Sequence, residues 1–99
     1  MEIKDGVVLA GLKLEMRTVL IQADRIWKDH KQELVITEGL GGTHSAGSLH
    51  YYGYAVDLRS RYFSADAKAD VIAKLKAVLG CTYDVIGHST HIHVEYDPF

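Results

Sequence analysis

Tyr83-Asp84-Val85-Ile86-Gly87-His88-Ser89-Thr90-His91-Ile92-His93-Val94-Glu95-Tyr96 lies at the C-terminal end of the sequence and reads as two strands, 83–86 and His91–Tyr96, joined by a short turn over 87–90. A hairpin this tight pairs its strands antiparallel. Working back, Ser64 is placed to cap a helix over Ala65–Leu79, and Gly80 to stop it. The expected buried stripe of that helix is Ala67, Val71, Leu75, Val78 and Leu79. A strand is expected over 54–60 and another over 33–38, where Leu34, Val35 and Ile36 precede Gly39. Between them, 40–48 is a Gly/Ser-rich loop with Gly41, Gly42 and Gly47 around His44.

The first long element covers 12–31. Its apolar positions Leu12, Met16, Val19, Leu20, Ala23, Ile26 and Trp27 step mostly by three and four, which predicts an amphipathic helix. The order is helix, strand, strand, helix, strand, strand. It predicts an α+β fold: a small, mostly antiparallel sheet with two helices packed on one face. No repeat or linker divides the chain, so residues 1–99 are read as one domain.

Composition narrows the function. A net charge of -2 and the lack of a Lys/Arg cluster argue against nucleic acid as a partner. No run approaches the ~20 apolar residues of a membrane span. Glu2 and Asp5 at the start argue against a signal peptide, so cytoplasmic synthesis is expected. Cys81 is the only cysteine, which excludes a zinc site built on several thiolates and is read as a small buried hydrophobe. Histidine is the outlier: of six, five fall in two short windows, His44 to His50 and His88 to His93.

On a strand, residues i and i+2 share a face, so His91 and His93 project together while Ile92 enters the core. Asp57 sits between Val56 and Leu58 in an apolar run, where an unpaired carboxylate is costly to bury. It therefore needs a cation or several donors. Arg59 and Arg61 are the near candidates for a salt bridge.

Ser48, His50, Gly53, Ala55 and Asp57 form the pattern S-x-H-x-x-G-x-A-x-D, and His91 and His93 supply a late H-x-H. This set resembles the zinc peptidases of the D-Ala-D-Ala carboxypeptidase and murein endopeptidase superfamily, whose fold the hedgehog signalling domain shares. The resemblance spans roughly residues 35–98. It implies one zinc ion, with His50, Asp57 and His93 as ligands. Two imidazoles and a carboxylate would leave a fourth position for water, as catalytic zinc requires. The resemblance also assigns His91 to catalysis, and His88 extends the pattern to the H-x-x-H-x-H of the murein endopeptidase branch. Ser48 belongs to the motif, His44 is placed at the cleft mouth, and Arg59 or Arg61 is the candidate for binding substrate. His30, at the end of the first helix, complements the helix dipole and is given no function.

Two departures bear on mechanism. Many relatives carry Asp or Glu three residues before the last ligand as general base, and here that residue is Thr90. The base must then be His91, His88 or a carboxylate such as Glu38 or Glu95. Carboxypeptidase members also carry an arginine in a motif like S-G-Y-R-S, whereas the corresponding stretch here is Thr37-Glu38-Gly39-Leu40-Gly41. The resulting expectation is a zinc metallopeptidase that cuts a peptide bond in peptidoglycan stems or cross-links, as an endolysin-like endopeptidase or a D,D-/L,D-carboxypeptidase. A phage or prophage lysis enzyme, acting on the cell wall after release by a holin-type partner, fits the small size and the lack of a leader, and a short bacterial cytoplasmic peptidase fits the sequence equally well. The alternative is a non-catalytic zinc-binding module on the same fold.

Overall fold

The computed structural model describes residues 1–39 and 53–98. Helix α1 (Leu14–Asp29) buries Met16, Val19, Leu20, Ala23, Ile26 and Trp27, the expected three-and-four stripe. It is shorter than the sequence suggested. Lys13 takes an extended N-cap conformation with its amide bonded to Gly53 O at 3.0 Å, and Lys31, at φ +60°, turns the chain out of the helix. Helix α2 (Ala65–Leu79) has the expected bounds. Ser64 Oγ accepts from the Ala67 amide at 3.1 Å, and Gly80 leaves the helix at φ +82°.

The strands are β1 (Glu2–Ile3), β2 (Val35–Glu38), β3 (Ala55–Arg59), β4 (Tyr83–Gly87) and β5 (His91–Tyr96). They form one sheet in the order β1-β2-β3-β5-β4. The fold is α+β, but the sheet is mixed rather than mostly antiparallel, because β1 runs parallel to β2. Glu2 N bonds Leu34 O at 2.7 Å and Lys4 N bonds Ile36 O at 3.0 Å. With α1 crossing between them, β1 and β2 point the same way. Two exposed residues are too short to show any alternation, which is why the sequence does not announce β1.

Both helices cover the same face of the sheet. Ile36, Val56, Leu58, Val85, Ile92 and Val94 point inward into one cluster with the buried residues of α1 and α2. Trp27, fully buried, donates its Nε1–H toward Arg59 O and Tyr62 Oη, each at 3.1 Å, and meets the Phe63 ring edge-on. Two smaller expectations are corrected. Val78 is half exposed, because Val71, Leu75 and Leu79 already complete the α2 stripe. Cys81 is exposed rather than buried, since it lies in the turn after α2 and not within an element.

Candidate functional site

The other face of the sheet carries the chemistry. In the antiparallel pairing of β3 with β5, Asp57 lies opposite His93, Arg59 opposite His91, and Ala55 opposite Glu95. Directly opposed residues share a face. The alternation that sends Val56, Leu58, Ile92 and Val94 inward therefore turns these six side chains outward together. The chain enters β3 through Gly53, at φ +80°; a Cβ there would lie 2.6 Å from Gly11 O. Glycine is required at that position, and its carbonyl ties the entry to the start of α1.

His93 sits between two carboxylates. Its Nδ1 is 2.8 Å from Asp57 Oδ1 and its Nε2 is 2.8 Å from Glu95 Oε1. His91 Nε2 lies 3.8 Å from the other oxygen of Asp57. The His88 ring stacks on His91 with centroids 4.7 Å apart and meets His93 edge-on at 6.5 Å. The β4–β5 turn makes this possible: the His88 amide bonds His91 O at 2.8 Å, and Lys68 Nζ donates to His88 O.

Burial grades the cluster. The Asp57, His93 and Glu95 side chains are 15%, 17% and 20% exposed, against 32% for His91, so the first three are shielded and His91 is the one more open to solvent. Burial works to lower the His93 pKa, but hydrogen bonds to Asp57 and Glu95 outweigh it and hold the imidazole above its ordinary value. Burial lowers the His91 pKa; Asp57 opposes this, while His88 and His93 reinforce it. The two imidazoles on one face are thus pushed in opposite directions, His93 toward its charged form and His91 toward the neutral form that can accept a proton.

A cavity of about 270 Å³ opens beside Asp57 and His91, lined further by Lys4, Thr37, Glu38, Arg59, Arg61 and Thr90. Thr37 Oγ1 donates to Asp57 O at 3.3 Å. Among the described residues, Lys4, Arg59 and Arg61 form no ion pair, so the cavity carries three cations beside two carboxylates.

The structure thus brings Asp57, His93, His91 and His88 into one cluster and places Arg59 in the adjoining cavity. His44, Ser48 and His50 lie outside the described residues. Thr90 lines the cavity but has no group that can act as a base. Glu38 lines it too, whereas Glu95 is engaged by His93. Sequence reasoning missed Lys4 and Thr37. Lys4 arrives through the parallel β1 pairing, for which the sequence carries no local signal. Asp84 lies directly opposite Glu95 across the β4–β5 ladder. Asp84, Glu95 and Asp97 bring carboxylate oxygens within 4.8 Å of one another; exposed acidic groups of this kind are common without an ion. No protein-family model matches this chain, and no curated protein matches it in a sequence search.

Proposed function

We propose that this chain is a zinc-dependent peptidase of the D-Ala-D-Ala carboxypeptidase and murein endopeptidase type, acting on a peptide bond of peptidoglycan. The observation that carries the reading is Asp57 with His93 Nδ1 at 2.8 Å, beside a second imidazole, His91, at the edge of a cavity. A carboxylate and an imidazole that meet across a proton are the donor types a divalent zinc takes in place of that proton. Asp57 and His93 fit two places of the ligand set, and His50 is proposed for the third. Bound zinc would lower the pKa of a coordinated water and polarise a carbonyl.

The chain's own residues have separate tasks. His91, held toward its neutral form and open to solvent, accepts or steers a proton at the cavity edge. His88, stacked on it, holds its ring plane. Arg59, with Lys4 and Arg61, receives an anionic group of the substrate. On this reading Lys4, Arg59 and Arg61, which line the cavity, take the part of the arginine absent from 37–41. Ser48 and His44 complete the proposed substrate side. The setting we favour is a phage or prophage lysis enzyme released to the wall by a holin-type partner. Among the described residues, no helix is long and apolar enough to cross a membrane.

Thr90 favours one second reading, a zinc-binding module without catalysis, because it lines the cavity where a carboxylate base would serve. Metal analysis of the purified chain, paired with mass spectrometry of digested peptidoglycan, tests both. Stoichiometric zinc with new peptide ends supports the peptidase, and zinc without cleavage supports the module. A wild-type chain without zinc, or Asp57→Ala retaining metal and activity, refutes both.

A further inference from the structure

Glu95 invites a role as general base in the sequence, yet its position assigns it a different one. Its carboxylate is 2.8 Å from His93 Nε2, on the side of the ring away from Asp57, and is largely shielded from solvent. We infer that Glu95 is a positioning residue: by accepting the Nε2–H of His93 it fixes the ring plane that aims Nδ1 at Asp57, and when a metal replaces the Nδ1 proton it keeps the remaining proton on Nε2. The inference rests on the metal reading proposed above, and names the residue that prepares His93 for it.

Three features lead to this assignment. The first is spacing. Glu95 is two residues past His93 on β5, so both side chains leave the same face, and the glutamate stem is long enough to bend back to the imidazole. Aspartate at this position would be one methylene short. The second is direction. The two ring nitrogens are held on opposite sides by different carboxylates, so rotation of the ring would break two hydrogen bonds at once. An imidazole whose outer N–H is held by a carboxylate presents its other nitrogen as a lone pair of raised basicity, which strengthens it as a ligand. The third is anchorage. Ala55, directly opposite Glu95 across the ladder, is fully buried and has no side chain long enough to compete for His93.

The test compares zinc affinity and the His93 ring state in wild type, Glu95→Gln, Glu95→Asp and Glu95→Ala. Zinc dissociation constants come from competition with a chromophoric chelator, and the ring state from long-range proton–nitrogen NMR of the zinc-loaded protein. Wild type is expected to show a protonated Nε2 and a metal-bound Nδ1. Glu95→Ala and Glu95→Asp should weaken zinc by about 10–100-fold, the usual effect of removing an outer-shell partner of a ligand histidine. Glu95→Gln keeps an oxygen acceptor, so it should preserve the tautomer and retain most of the affinity. A merely structural glutamate would lower thermal stability in all variants without this ranking. Equal zinc affinity in wild type and Glu95→Ala, or a protonated Nδ1 in the zinc-loaded wild type, overturns the assignment while leaving the metal reading intact. Failure of the wild type to bind zinc overturns both.

Discussion

On β5, Ile92 and Val94 alternate with His91, His93 and Glu95, and on β3, Val56 and Leu58 alternate with Ala55, Asp57 and Arg59. The inward set meets α1 and α2 and is held by apolar burial. In the outward set His93 is held by charge-assisted hydrogen bonds, to Asp57 across the ladder and to Glu95 along its own strand, with exposure rising from Asp57 to His91. The same two strands therefore serve two solvents, and backbone pairing is shared between them. The teaching is that stability and chemistry are separable here by residue parity. The rigid inner face sets the strand register, and that register alone brings Asp57 opposite His93.

The separation can be broken most severely from the inner face. Trp27→Ala removes a fully buried ring and its two hydrogen bonds, and should cost about 3–5 kcal/mol of stability. Thermal or urea unfolding would read this, and a loss below 1 kcal/mol would refute the assignment of Trp27 to the core. From the outer face, Asp57→Ala should weaken zinc binding at least about 100-fold, since removing an outer-shell partner alone reaches that figure. Its melting temperature should fall less than that of Trp27→Ala. If the two variants lose stability equally, the faces are not separable.

Arg59→Gln sharpens the contrast within the outer face. Arg59 lines the cavity, and on the proposed reading its guanidinium receives a substrate anion, so the substitution should raise KM about tenfold on peptides with a free carboxylate and leave kcat nearly unchanged. Steady-state kinetics on free and amidated peptides would read the split. Ser64→Ala touches neither face; it removes the α2 cap and should cost about 1 kcal/mol with zinc content unaltered. The smallest effect concerns the helix layer. Lys74, and then His30, lower the Asp70 pKa from its ordinary 3.8. A group with a depressed folded pKa contributes stability above its unfolded pKa and loses it as pH falls through the folded one. Asp70→Asn should therefore flatten the decline of melting temperature below about pH 4, and unchanged slopes would refute the linkage.

Much of this was legible in the residues. The α2 bounds follow from Ser64 and Gly80, and the final strand from the alternation around Ile92, because capping and parity are local. Local signals do not extend to partners distant in the chain. β1 could not be read from two exposed residues, and with it the parallel pairing and Lys4 were lost. The end of α1 moved because Lys31 adopts a left-handed conformation that no local pattern marks. The outward placement of His91 and His93 was readable; the closure of Glu95 onto His93 was not, since reach depends on strand twist and side-chain rotamer.

By itself, then, the sequence determined which residues alternate, where α2 starts and stops, and which side chains are rich in donor chemistry. Those properties depend on hydrogen bonds and periodicities only a few residues long. Tertiary structure alone decided that β3 and β5 pair with Asp57 opposite His93, that Glu95 takes the second nitrogen, and that Lys4 meets Arg59 and Arg61 around one cavity. The first and the last need elements remote in sequence to dock in one register, which burial of the inner face selects, while the Glu95 contact depends on the twist and rotamers of β5 within the folded sheet.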